Sequence, residues 1–224
     1  MNHLTDLPLE FLQREPTAQG VAPWLLVLMH GVGSNEQDLF GLASYVPAHF
    51  HVLSLRAPYA MGAQSHAWFQ FTVDANGVRH IDAAQEHASR DLLARTVAQA
   101  QQQLGIAPER TVLGGFSQGG IMALSLLLTQ PQYMQAALVW HSRLLPEVLA
   151  LQAPSAAFQG KSLWVSHGSY DNVIPLTSAH ATRDHVQFLP LALDYHEYAS
   201  AHEIRPDELQ ASMQWLAGLN SAPD

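Results

Sequence analysis

The 224-residue chain contains no cysteine. That absence excludes a disulfide framework, a thiolate metal site and a cysteine nucleophile. Charge is scarce as well: Asp, Glu, Lys and Arg make up 13% of the residues, about half the usual share. What charge there is leans acidic, with 19 Asp and Glu against 10 Lys and Arg and a formal net charge of −9. No basic excess is available to displace the counterions of a phosphate backbone, which argues against nucleic acid as a partner. The 13 histidines make the charge less negative below about pH 6.5. Long apolar runs are missing too. The strongest one near the start, Trp24 to Met29, is far short of a membrane span, so stable membrane insertion is not expected. Met1-Asn2-His3-Leu4-Thr5-Asp6 carries neither the basic nor the apolar region of a signal peptide, which makes a cytoplasmic location the expectation. No repeat, low-complexity tract or linker divides the chain, and 48% hydrophobic residues suffice for one core; a single domain over 1–224 is expected.

What is present is an alternation of short apolar runs and helical patterns. Trp24 to Met29 is continuously apolar, as in a strand buried on both faces. After His30-Gly31-Val32-Gly33-Ser34-Asn35, a helix is expected over Glu36 to Tyr45, and His51 to Leu55 reads as the next strand. Tyr59 to His80 reads as a long irregular stretch with an Asn76-Gly77 turn signal near its end. From Ala83 to Leu104, Leu92, Leu93, Val97, Ala100 and Leu104 form one apolar helical stripe, with Gly105 as C-cap. Further strands are expected at Thr111 to Gly114, Ala136 to Trp140, Leu163 to Val165 and Leu193 to Tyr198. Helices are expected at Ile121 to Leu128, within Val173 to Val186, and at Asp207 to Leu219 behind Pro206. This order argues for an α/β fold with a mostly parallel sheet and helices on both faces.

Gly115-Phe116-Ser117-Gln118-Gly119 stands where a strand runs into a helix. A serine hydroxyl is a useful nucleophile only if a base reaches it and a sharp turn lifts it clear of the sheet. Glycines two residues to either side make room for that turn, and the N–H of Gln118 is left at a helix start, where it can face a developing oxyanion. A capping serine is the plain alternative. Partners for a nucleophile must lie just past the ends of other strands. Among the later aspartates, Asp171 follows a strand and precedes a helix, whereas Asp184 lies within a helix and Asp194 begins a strand. His180 and His185 sit in the helix and His196 in a strand; His202 lies in the loop Ala199 to Glu203. Asp171 and His202 are therefore the candidate acid and base, with a turn-forming Asp and an exposed loop histidine as the alternatives. A second oxyanion donor fits the N–H of Val32 in His30-Gly31-Val32-Gly33. No Lys-Ser/Thr follows those glycines, and no H-E-x-x-H spacing occurs, so a phosphate loop and a metal site are not expected.

Four segments together resemble the phospholipase/carboxylesterase family of α/β-hydrolases, which includes the acyl-protein thioesterases. They are Leu28 to Gly33, Gly105 to Gly120, His167 to Pro175 and Ala201-His202-Glu203. Ala67-Trp68-Phe69 is similar to a further family segment, an aromatic stretch near the acyl site. The resemblance implies an α/β-hydrolase fold without a large cap domain, often dimeric and needing no cofactor. It implies Ser117, Asp171 and His202 as a catalytic triad and Val32 and Gln118 as oxyanion donors. Trp68 and Phe69 then have two readings, a substrate-binding wall or buried core. Where the family tends to a small Ser-Gly pair this chain has Trp140-His141-Ser142, which is expected to shorten or reshape the acyl pocket. The implied activity is serine carboxylester hydrolysis of small to medium acyl esters through an acyl-serine. The alternatives are a thioesterase, lysophospholipase or acyltransferase with the same triad, or a ligand-binding protein on a hydrolase fold.

Overall fold

The computed structural model describes residues 4–76 and 79–219. The expected Asn76-Gly77 turn runs into residues outside that range, as do Met1-Asn2-His3 of the start region and the last residues of the expected domain 1–224. In chain order the elements are β1 (Phe11–Arg14), β2 (Trp24–Met29), α1 (Gln37–Phe40), β3 (Phe50–Leu55), β4 (Tyr59–Gly62), β5 (Ser65–Ala67), β6 (Phe71–Val73) and β7 (Arg79–Ile81). They continue with α2 (Ala83–Leu104), β8 (Thr111–Phe116), α3 (Gln118–Thr129), β9 (Ala136–Trp140) and α4 (Pro146–Leu149). The chain closes with β10 (Ser162–Gly168), α5 (Leu176–Val186), β11 (Ala192–Tyr198) and α6 (Pro206–Gly218). The central sheet has seven strands in the order β1-β3-β2-β8-β9-β10-β11. All pairs are parallel except β1 against β3.

Alternate residues of one strand feed two cores, which is why the apolar runs are continuous. Leu25, Val27 and Met29 of β2 pack with Leu93 and Val97 of α2 and Leu124 of α3 on one face. Leu26 and Leu28 pack with Leu39 of α1 and Met213 and Leu216 of α6 on the other. Helix α2 starts on Asp82, whose carboxylate accepts from the Gln85 N–H at 3.0 Å, and ends on Gly105 at φ +65°. Among the described residues no helix is long and apolar enough to cross a membrane.

Besides the short unexpected helix α4 and a longer β10, three stretches differ from expectation. The helix expected over Glu36 to Tyr45 keeps α-helical form only to Phe40. Beyond Gly41 the bonds tighten to i→i+3, as from Leu42 N–H to Leu39 O (3.0 Å) and Tyr45 N–H to Leu42 O (3.0 Å). Glycine is a poor helix former, and tight turns suit a chain heading for Pro47. Tyr59 to His80 is not irregular: it folds into two hairpins, β4–β5 and β6–β7. Strand β1 gave no signal, because its mixed sequence lies half-buried at the sheet edge. The hairpins are small excursions; among the described residues there is no large cap over the strand ends.

Candidate active site

Ser117 sits between β8 and α3 with φ +53° and ψ −116°, a conformation L-residues avoid. The turn is so tight that a Cβ on Gly115 would come within 2.2 Å of the Gly119 carbonyl carbon, and one on Gly119 within 1.9 Å of the Met29 oxygen. Ser117 does not cap α3 with its side chain. Its Oγ lies 2.9 Å from His202 Nε2 instead. His202 Nδ1 lies 2.6 Å from Asp171 Oδ2, so the three residues form a continuous relay. The His202 loop reaches the end of β10 because Gly168 is there: a Cβ at that position would meet the Ser200 and Ala201 carbonyl oxygens at 2.4 Å.

The Asp171 carboxylate is buried and fully occupied. Oδ1 accepts from the N–H groups of Val173 (2.9 Å) and Ile174 (2.8 Å). Asp171 is thus both a turn-former and a partner for His202. Burial raises its pKa, but the bonds from His202 and the two backbone amides outweigh that and hold it below the usual carboxylate range. Two further imidazoles crowd Oδ2: His141 Nδ1 at 3.3 Å and His167 Nε2 at 3.4 Å. His141 in turn places Nε2 3.2 Å from Oε2 of Glu208, and both side chains are fully buried. His141 is also held at φ +47°. Burial lowers the pKa of His167, whose Nε2 donates to the Ile174 carbonyl at 2.8 Å.

The loop after β2 lies against the serine. A Cβ on Gly31 would stand 3.4 Å from that of Ser117. His30 is buried, which lowers its pKa; its Nε2 accepts from the Ala57 N–H at 3.1 Å and its Nδ1 donates to the Gly31 oxygen at 2.7 Å. The first hairpin clamps the loop, with Gly33 N–H to His66 O and His66 N–H to Ser34 O both at 2.9 Å. Among the described residues the amide N–H groups of Val32 and Gln118 have no acceptor. The Gln118 side chain faces away and stitches in the aromatic segment: Oε1 accepts from Trp68 N–H at 2.8 Å, and Nε2 donates to the Phe69 carbonyl at 2.7 Å.

Val32, Phe69, Ser117, Gln118, Ile121 and Ile174 line a narrow cleft of about 30 Å³. It adjoins a basin of about 310 Å³ along Asn172 to Pro175. Phe69 thus lines the cleft, whereas Trp68 is wholly buried behind it, its indole N–H donating to the His30 carbonyl at 3.0 Å. Trp140 and His141 are fully buried and stand outside the cleft lining, Trp140 in the second core and His141 behind Asp171. They do not shorten the cleft. A larger groove, about 580 Å³ between Tyr45 and α6, contains none of these side chains.

His141, Asp171 and His202 are also the one group among the described residues whose potential metal-ligand atoms all lie within 4.8 Å of one another. Those atoms bond one another, and the free nitrogen of His202 points at a hydroxyl, the geometry of proton transfer. Sequence reasoning brought together Ser117, Asp171, His202, Val32, Gln118 and Phe69. It missed His167 and Glu208 around the acid. The one available signal was a histidine near the end of a buried strand, as His167 is in β10.

A family profile described as Phospholipase/Carboxylesterase matches residues 17–220. Acyl-protein thioesterase 1 of Kluyveromyces lactis is 27% identical over 94% of this chain and 98% of its own length. Esterase YpfH of Escherichia coli is 27% identical over 73% of this chain and 68% of its own length. Among solved structures, the carboxylesterase of Bacillus cereus superposes with a TM-score of 0.80 over 94% of each chain, at 20% identity, a likeness of fold. With a profile spanning nearly all of the sequence and the sheet, elbow and strand-end loops in the expected order, the chain belongs to the phospholipase/carboxylesterase family.

Proposed function

We propose that the chain is one catalytic unit, a serine carboxylester hydrolase working through an acyl-serine. The observation that carries this reading is the unbroken Ser117–His202–Asp171 relay at 2.9 and 2.6 Å. Ser117 Oγ attacks the acyl carbonyl while His202 Nε2 takes its proton. Asp171 holds the imidazole with Nδ1–H toward it and stabilises the imidazolium. The N–H groups of Val32 and Gln118 receive the oxyanion, a contribution of roughly 3–4 kcal/mol per donor in comparable sites. His202 then gives its proton to the leaving alkoxide, and water attacks the acyl-serine by the same route in reverse. Nothing in this sequence of steps calls for a cofactor. Phe69 walls the acyl side, with Trp68 packed behind it, and the small cleft favours short acyl groups near the serine.

A thioester substrate is the second reading, supported by the thioesterase relative; the acyl-enzyme is common to both and only the leaving group differs. The test is labelling by a fluorophosphonate probe, with the adduct located by mass spectrometry, beside Ser117→Ala. The expected result is labelling at Ser117 that vanishes in the variant, together with loss of ester turnover by a factor on the order of 10⁴ or more. Folded protein that is not labelled, or a variant that keeps more than a few per cent of turnover, overturns the reading. Parallel rates on p-nitrophenyl esters, acyl thioesters and lysophospholipids rank the substrate classes.

A further inference from the structure

Only 10 residues in this chain of net charge −9 are Lys or Arg. Several are matched to carboxylates: Arg56 to Glu36, Arg90 to Glu86 and Arg183 to Asp184. Two are spent differently. Arg79, on β7 opposite Val73, holds its guanidinium 5.2 Å above the centre of the Phe71 ring. Arg143 follows Ser142 in the loop after β9 and is half-buried. Both line the narrow cleft that contains Ser117, and both line the basin that adjoins it. Among the described residues neither guanidinium donates a hydrogen bond or forms an ion pair.

Arg143 is half-buried and Arg79 exposed, and the two are close enough for their charges to act on each other, so an anion in the basin they share is attracted by both. Burial lowers the Arg143 pKa, Glu147 pulls the other way, and the charge of Arg79 lowers it further. An acidic protein repels anions at long range, so a local positive pair lining the cleft and basin is the part of this surface that attracts them. A guanidinium presents a rigid fork of donors that matches the oxygens of a carboxylate or phosphate, and the Phe71 ring beneath Arg79 fixes the plane of one fork.

We propose that the ester cleaved at this site carries an anionic oxygen group, carboxylate or phosphate, which lies in the basin between Arg79 and Arg143. The inference rests on the serine-hydrolase reading for the position of the scissile bond. The cleft at Ser117, about 30 Å³, has room for little more than the reacting group, so the charge sits on the part of the molecule that extends into the 310 Å³ basin.

The test compares esters matched in size and differing in charge. One pair is p-nitrophenyl monoglutarate with p-nitrophenyl pentanoate; the other is acetoxyethyl phosphate with methoxyethyl acetate. The readout is the ratio of kcat/KM, anionic over neutral, within each pair. For at least one pair this ratio falls about tenfold or more in Arg79→Gln and in Arg143→Gln, and falls with added salt in the unmodified protein. The pair that responds identifies carboxylate or phosphate. Arg143→Lys, which keeps the charge without the fork, gives an intermediate ratio. Calorimetric binding of glutarate and of inorganic phosphate to Ser117→Ala is a second measurement that needs no turnover. Arg79→Gln with Arg143→Gln in that background weakens binding of at least one of the two anions about tenfold or more. Ratios that do not move in any variant, with Ser117 still labelled by the fluorophosphonate, overturn the anion proposal and leave the esterase reading standing. Failure to label Ser117 strikes the esterase reading, while the calorimetric result still decides for or against the anion site.

Discussion

Two helical glycines that look alike in sequence are predicted to respond to alanine with opposite sign. Alanine in place of glycine within a helix ordinarily stabilises by up to about 1 kcal/mol. Gly218, in the last turn of α6, has nothing within 4 Å of a built Cβ, and Gly218→Ala should therefore gain a few tenths to about 1 kcal/mol. Gly119 is in the first turn of α3, where a Cβ would stand 1.9 Å from the Met29 oxygen, 2.4 Å from its carbon and 2.8 Å from the His30 oxygen. These are backbone atoms of β2 and its exit, so no side chain can swing away. Reaching even the 3.0 Å limit of real Cβ contacts requires α3 to retreat by about 1 Å. Overpacking of this kind costs typically 1–3 kcal/mol, more than the propensity gain returns. At roughly 2–4 °C per kcal/mol for a chain of this size, Gly119→Ala should lower Tm by several degrees while Gly218→Ala raises it slightly. The retreat also carries Ser117 and the Gln118 N–H out of line, and a misplacement of about 1 Å costs on the order of a hundredfold in rate. Thermal unfolding by circular dichroism and p-nitrophenyl acetate kinetics on both variants check this. A Gly119→Ala protein as stable and as active as its parent would refute the elbow packing argument.

The Gln118 side chain is predicted to matter more for stability than for the oxyanion. Gln118→Ala strands the Trp68 N–H and the Phe69 carbonyl without partners, at about 1–3 kcal/mol each, but keeps its own backbone N–H; Tm should drop while fluorophosphonate labelling of Ser117 persists at low temperature. An unchanged Tm would show that the aromatic segment is held by other contacts. Acidification should destabilise the protein in two steps. His30 and His167 have lowered pKa values, so below about pH 6.5 the unfolded chain takes up protons that the folded one refuses; stability falls there by up to about 1.4 kcal/mol per pH unit per histidine. Asp171 has a lowered pKa as well, and its contribution, present above about pH 4, is lost as pH falls through its folded value. Urea unfolding between pH 7.5 and 3 reads both, and stability that is flat or rises between pH 7 and 5.5 contradicts the burial argument for the histidines.

The parts of this fold that sequence conveys well are those in which one residue run settles its own environment. Trp24 to Met29, Ala136 to Trp140 and Ala83 to Leu104 have the bounds that composition alone suggests. Ser117, Asp171 and His202, the proposed serine, acid and base, could be picked out because each lies in a loop or turn just past a strand. Strand β1 is different: its burial comes from β3, and the Arg14 guanidinium is fixed by the carbonyls of Val46, Pro47 and Phe50, partners far along the chain. Strands β4 to β7 are three or four residues long, too short to show a period, and the Trp68-Phe69 segment between the two hairpins is held by the Gln118 side chain, far along the chain. For the same reason Arg79 and Arg143 could not be read as neighbours. One belongs to a hairpin with no signature and the other to a loop 64 positions later, and only the folded chain brings them to one cleft.

The buried bond between His141 and Glu208 joins residues 67 positions apart. Glu208 stands in the first turn of α6, where its carboxylate also accepts from the Arg205 N–H at 3.2 Å. The serine turn, the strands and the acid all precede that helix on the chain. During synthesis they can leave the ribosome and begin to pack while the contact that backs Asp171 through His141 does not yet exist. The outermost contact of the network around Asp171 is therefore in place only when α6 docks. A nascent chain halted before Pro206 would hold the proposed nucleophile with its supporting network unfinished, so that the full network arrives with α6 rather than with the serine itself.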